Sequence, residues 1–350
     1  MATQVRQLKQ RGHIEHGTPI IEIRGLVKRY GSLTAVDGVD LTVAAGEIFG
    51  ILGPNGAGKT TTLEMIEGLR RPDAGTIRVG GFDAVAESDE VRRIIGVQLQ
   101  TTALFDYLNA TELIELFAGL YGVDGSPARI EELLGMVGLE EKRKARVDEL
   151  SGGQRQRLSI TLALVNQPLV AFLDEPTTGL DPGARRDLWQ TIQRIRSAGT
   201  TVVLTTHYME EAEVLCDRVA VMDRGKVIAC DTPNALIRQL GTAAKVRARI
   251  AAGTLSPEEL ATLTGVTASA IHHGQIELRT TDVQSTLVDL LALATHNGVL
   301  LTDLRSTQAS LEDVFLSLTG RTYEDEGDGE ADRRTEGQAD SDGRKRRRGR

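Results

Sequence analysis

From Ile20 the chain alternates apolar and polar residues through IEIRGLVKRY, the pattern of a strand with one wet face. VDLTVAAGEIFGIL follows, and its almost wholly apolar end predicts a strand buried on both faces. TTTLEMIEGLRR then has helical spacing and closes on arginines, which suit a helix C-terminus. RPDAG reads as a turn and TIRVGGFD as a short strand. LVAFLDEP and TTVVLTTH repeat the buried-strand pattern later in the chain. Strands that alternate with helices in this way predict an α/β fold with an open, mostly parallel sheet.

Residues 101–150 follow another rhythm. Asn109 and Glu112 have the spacing of a capping box, and Leu113, Leu116, Phe117 and Leu120 continue at helical intervals. Ser126-Pro127 opens a second helix, with proline at its first position. These residues form a helical insert. From about Gly241 the pattern changes again. KVRARI, QIELRT and VLLTDLRS read as strands, and DVQSTLVDLLALATHNG and LEDVFLSLTG as helices. The expected organisation is therefore a disordered polar extension over 1–19, a main domain over 20–240, a small α+β accessory domain over 241–320, and a charged disordered tail over 321–350.

Composition narrows the function. Apolar residues make up 40% of the 350, enough for a sizeable core, but aromatics are only 3%, so that core is aliphatic. The net charge of −8 argues against a general nucleic-acid binder, and no specific nucleic-acid partner is expected. Two cysteines, Cys216 and Cys230, make no disulfide framework and fit a reducing compartment. No apolar run reaches the roughly 20 residues of a membrane-spanning helix, so the expected location is the cytoplasm unless a partner holds the chain at a membrane. In the tail, acidic EDEGDGEAD precedes basic RKRRRGR, which reads first as a solvated segment and second as one that touches anionic lipid.

The chemistry sits in GPNGAGKTT, Gly53 to Thr61. It meets G-x-x-x-x-G-K-[ST] with Gly53, Gly58, Lys59 and Thr60. Glycines let backbone N–H groups turn around a phosphate, and the helix that starts here aims its positive end at the same anion. Lys59 is placed to reach the β- and γ-phosphates and Thr60 to ligate Mg2+. A second loop, Leu150-Ser-Gly-Gly-Gln154, again sets small residues at a helix start. One ATP does not need two cradles on one chain. A symmetric dimer supplies the reason, with the second cradle closing over nucleotide held by the other subunit. Asp174 and Glu175 end the apolar run LVAFL, where two carboxylates are costly without a cation to meet them.

In these motifs and their order the sequence resembles the ATPase subunit of an ATP-binding cassette transporter, from about Ile20 to Leu240. The resemblance implies the P-loop ATPase fold, ATP and Mg2+ as cofactors, and a homodimer working with an integral membrane permease on the inner face of the cell membrane. It implies that Gly53, Pro54, Asn55, Gly56, Ala57, Gly58, Lys59, Thr60 and Thr61 hold the phosphates and that Tyr30 stacks on adenine. Thr60, Gln100 and Asp174 would meet Mg2+; Gln98 lies on the same strand face as Gln100. Glu175 would be the general base, with Lys59 and His207 at the γ-phosphate. Ser151, Gly152, Gly153, Gln154 and Asp181 would face the partner's nucleotide. SLEDVFLSLTGR and HYMEEAE are similar to ATPase subunits of drug- and polymer-exporting systems, including antibiotic self-resistance exporters. A ribosome-bound regulatory cassette is disfavoured because the chain has a single copy of each loop. A DNA-repair ATPase is disfavoured by the short insert, and a non-enzymatic module by the intact Asp174-Glu175 pair.

Overall fold

The alternating N-terminal run forms β1 (Pro19–Tyr30) and β2 (Leu33–Ala44), paired antiparallel. Gly46, with φ of 77°, turns the chain out of that sheet and into β3 (Ile48–Leu52), buried at all five positions. In the computed structural model, residues 17–98, 104–241 and 244–320 are described. The expectations for residues 1–16, for Gln100 and for the tail from 321 lie outside the described residues.

After β3 the first unit continues with α1 (Lys59–Ile66), β4 (Ala74–Val79), β5 (Phe82–Asp83), α2 (Ser88–Ile94) and β6 (Ile95–Gln98). The insert supplies α3 (Ala110–Tyr121) and α4 (Pro127–Val137). Then come α5 (Gly152–Leu164), β7 (Val170–Asp174), α6 (Pro182–Ser197), β8 (Thr201–Thr206), α7 (Met209–Leu215), β9 (Arg218–Asp223) and β10 (Lys226–Asp231).

The strands form two sheets, ordered β2-β1-β4-β5 and β10-β9-β3-β8-β7-β6. The second is the expected parallel sheet, with only the β9–β10 pair antiparallel. The first is a separate antiparallel sheet, which the sequence reading did not distinguish. The two patterns differ for a physical reason. A strand covered on one face alternates, whereas a strand covered on both reads as a continuous apolar run.

One aliphatic core joins the sheets. It contains Ile23, Leu26 and Val39 of the antiparallel sheet, Phe49, Ile51, Phe172 and Val203 of the parallel one, and Leu63, Met65 and Ile66 of α1. Helix α1 contacts strands of both sheets, so it is buried on most of its circumference. That burial fixes where its first residue, Lys59, must stand. In the insert, both halves of the Asn109–Glu112 capping box form, and Ser126 caps α4. Ala110, Leu113, Ile114 and Ala118 face inward, while Leu116 and Leu120 are exposed.

The second compact unit begins at Pro233, ahead of the composition change at Gly241. It consists of α8 (Pro233–Gln239), β11 (Ala244–Ala252), α9 (Pro257–Ala261), β12 (Val266–His272), β13 (Gln275–Thr280), α10 (Val283–His296), β14 (Leu300–Gln308) and α11 (Leu311–Thr319). Its antiparallel sheet runs β12-β13-β11-β14 over a core of its own, with Val246, Leu260, Ile276, Leu278 and Leu290 at the centre. Strand β12, VTASAIH, escaped the sequence reading because no buried residue marks its period.

Candidate functional site

The glycine loop spans the turn from β3 to α1. Its glycines are demanded by sterics. A Cβ on Gly53 would stand 2.3 Å from the Met222 carbonyl oxygen, and one on Gly58 would stand 2.4 Å from that of Ala35. Gly58 also has φ of 98°, a left-handed conformation that side chains resist. No side chain caps the start of α1, and its first turn holds no acid. Asn55, Gly56 and Thr60 face solvent, while Ala57 and Lys59 are buried.

Lys59 is 4% exposed. Its Nζ donates to the carbonyls of Gly53 (2.8 Å) and Pro54 (3.1 Å), and it lies 3.4 Å from Glu175 Oε1. Burial pushes the ammonium down in pKa, and the Glu175 charge pulls it back up.

The two carboxylates stand at the end of β7, separated from β3 by β8. Thr205 of β8 orders them both. Its hydroxyl donates to Asp174 Oδ1 and accepts from the Glu175 N–H at 3.0 Å. Asp174 Oδ1 also faces the Thr60 hydroxyl at 3.4 Å. Burial is the main force pushing the Asp174 carboxyl above its ordinary range.

Glu175 sits at φ of 45°, unusual for a residue with a side chain and a common mark of functional sites. Its Oε2 accepts from Thr178 Oγ1 at 3.2 Å and lies 3.2 Å from His207 Nδ1. The His207 contact outweighs burial and, with Lys59, draws the Glu175 carboxyl down to about 2. Lys59, Glu175 and His207, distant in sequence, thus converge on one spot beside Thr60 and Asp174.

Just past α1, at its C-cap, Glu67 is 2% exposed, and burial with the Asp174 and Glu64 charges pushes its carboxyl up to about 8. Neither Thr205 nor Glu67 was picked out from the sequence. The available signal was a polar residue inside a run that is otherwise apolar.

The second loop lies elsewhere in the unit, at the start of α5, which packs against β6 and β7. Ser151 is its N-cap. The Gln154 N–H donates to Ser151 Oγ at 3.3 Å, and the Ser151 N–H to Gln154 Oε1 at 2.9 Å. Asp181 caps α6 by accepting from Gly183 (2.9 Å) and Ala184 (3.0 Å), and these bonds hold its carboxyl below the usual range. Tyr30, at the end of β1, is 40% exposed, with Arg70 and Lys28 over its ring at 5.4 and 5.7 Å.

A glycine loop closing on a buried lysine, opposed by two carboxylates and a histidine, defines a nucleotide phosphohydrolase. Residues 36–178 match the ABC transporter family. The daunorubicin/doxorubicin resistance ATP-binding protein of Streptomyces peucetius is 42% identical over 322 residues, covering 90% of this chain and 96% of that protein. The linearmycin resistance ATP-binding protein of Bacillus subtilis (strain 168) is 36% identical over 312 residues, covering 87% of this chain and all of its own length. Among solved structures, a dimeric ATP-binding cassette in a post-hydrolysis state with ADP and Pi matches at 30% identity. It has a TM-score of 0.55 and covers 61% of this chain and 98% of that one. The chain belongs to the ATP-binding cassette transporter family, as an ATP-binding and ATP-hydrolysing subunit that drives transport.

Proposed function

We propose that two copies of this chain close head to tail over two ATP molecules and power export of a drug or antibiotic through a separate membrane permease. The convergence of Lys59, Glu175 and His207 carries the reading of the hydrolytic site. Residues 53–61 would wrap the phosphates of one ATP, and Tyr30 would stack on its adenine. Ser151, Gly152, Gly153, Gln154 and Asp181 would face the nucleotide of the other subunit. Resistance to daunorubicin/doxorubicin and to linearmycin, in the names of two relatives, supports a drug as cargo. The dimeric relative supports the paired arrangement. Among the described residues no helix is long and apolar enough to cross a membrane, which is consistent with a path supplied by another chain. Phe105, Tyr107, Leu116, Leu120 and Tyr121 expose apolar surface within the insert and offer the permease a docking face on the cytoplasmic side.

The donor set beside Lys59 fits Mg2+. Thr60 and Asp174 bring two hard oxygen atoms to within 3.4 Å of each other, and magnesium takes one or two such protein ligands with phosphate and water. Gln100 is the third expected ligand. When bound, the ion neutralises charge on the phosphates. This chain's residues do the rest. The triphosphate replaces the Gly53 and Pro54 carbonyls and Glu175 as partners of Lys59. Release from Lys59 removes one of the charges that hold the Glu175 carboxyl low and frees Oε1 for the attacking water. Glu175 then accepts a hydrogen bond from the attacking water and orients it in line. His207, steered by its contact with Glu175, donates to the γ-phosphate. Loss of that phosphate removes the link between cradles, and the dimer reopens.

Glu175→Gln tests this directly. The variant is expected to bind ATP, to accumulate as a nucleotide-held dimer in sedimentation, and to lose turnover by roughly 100- to 1,000-fold. Hydrolysis at the parent rate would remove Glu175 from the role of base.

A further inference from the structure

Behind the catalytic residues lies a buried contact that no motif announced. Trp189 of α6 is 8% exposed, and Glu211 of α7 is fully buried. The Trp189 indole N–H donates to Glu211 Oε1 at 3.1 Å. Thr206, the residue before His207, and Thr177, in the turn after Glu175, lie near the same carboxyl, but among the described residues Glu211 Oε2 and Thr177 Oγ1 make no hydrogen bond. Four residues before Trp189, the Arg185 guanidinium lies 4.2 Å over the Tyr208 ring, whose centroid is 4.1 Å from that of His207. Another helical turn back stands Asp181, whose carbonyl accepts from the Arg185 N–H at 2.9 Å. Asp181, Arg185 and Trp189 therefore share one face of α6. His207, Tyr208 and Glu211 stand opposite on the segment that leaves β8.

A surface helix needs no buried carboxylate to stay in place, and burying one costs stability unless it is well partnered. Apolar residues would pack α6 on α7 more cheaply. What the carboxyl supplies is a tie between the helix that begins at Asp181 and the segment that follows His207.

We infer that Glu211 is a positioning residue which, through Trp189 and alongside the Arg185–Tyr208 stack, makes the partner-facing loop at Asp181 and His207 move as one body. Closure of the second subunit on Asp181 then sets His207 for hydrolysis. The inference rests on the roles given above to Asp181 and His207.

The test uses the full-length chain with Trp189→Phe, Glu211→Ala and Glu211→Gln. Phenylalanine keeps the ring and removes the N–H donor. Glutamine keeps an acceptor oxygen in the same place. Trp189 is the chain's one tryptophan, so a red shift of its emission in Glu211→Ala reports that the contact has opened. Trp189→Phe and Glu211→Ala are expected to lower kcat about tenfold while ATP affinity by calorimetry stays within about twofold. Glu211→Gln is expected to restore kcat. Unchanged kcat in the first two variants overturns the inference. So does a parallel loss of affinity and kcat that Glu211→Gln fails to rescue. His207→Ala separates this from the underlying reading. If it hydrolyses at the parent rate, the role of His207 falls. If it is inactive while Trp189→Phe is not, only the positioning role falls.

Discussion

The starts of α1 and α5 are built from similar residues and finished differently. Glycines precede α1 and open α5, and neither helix has an acid in its first turn. At α1 no side chain caps the helix, and its first residue, Lys59, is buried. At α5 Ser151 and Gln154 cap each other, and Ser151 is exposed. An uncapped helix start with a lysine fixed beside it is an anion site complete within one chain. A capped, exposed start is stable as it stands and gains an anion only when another surface brings one. The difference fits the proposed roles, with nucleotide binding at the first cradle and dimer closure at the second.

Lys59→Ala should break the first cradle and give the largest effect. Its Nζ is the buried cation of the site, and a hydrogen bond to a charged group is worth about 1.5–3 kcal/mol. ATP affinity by calorimetry is therefore expected to fall roughly 10- to 100-fold. Unchanged affinity would mean that the loop does not bind through this lysine.

Ser151→Ala should separate the two cradles. It removes a helix cap, at a cost of about 1 kcal/mol in stability. The account expects ATP binding to the monomer to stay at the parent value while the ATP-dependent dimer in a Glu175→Gln background is lost. A loss of monomer affinity would erase the contrast between the cradles.

Glu67→Gln sharpens the comparison through pH, because Glu67 is a buried acid at the end of α1, beside the Asp174 charge. The folded-state value of about 8 lies above the ordinary 4.5. Folding thus takes up a proton between these values, and the stability tied to Glu67 falls as pH rises from about 4.5 to about 8, then levels off. The slope is at most about 1.4 kcal/mol per pH unit. Denaturant midpoints of the Gln variant should lose this fall and exceed those of the parent above pH 8. Parallel curves would show that Glu67 does not titrate with folding.

Much of this was legible in the chain. The buried strands β3, β7 and β8 showed as apolar runs because they are covered on both faces. Gly53 and Gly58 showed as glycines because the Met222 and Ala35 carbonyls leave no room for a side chain, and Lys59 showed by its place in the motif. The division into two sheets at Gly46 was not legible, since one apolar run continues smoothly through the turn. Thr205, Glu67 and Glu211 were not legible either. Their importance comes from what lies opposite them in space, which a polar residue in or beside an apolar run does not reveal. Asp181 was read as partner-facing, and its carboxylate also caps α6, a local role that its place before Pro182 signals.

The claim beneath all of this is that each nucleotide is held between the first cradle of one subunit and the second cradle of its partner. The most direct measurement places spin labels at Asn55 and Arg155, with Cys216 and Cys230 replaced, in the Glu175→Gln variant. Saturating ATP is predicted to produce a single short distance between label 55 of one subunit and label 155 of the other. A distance distribution that ATP leaves unchanged would contradict the account.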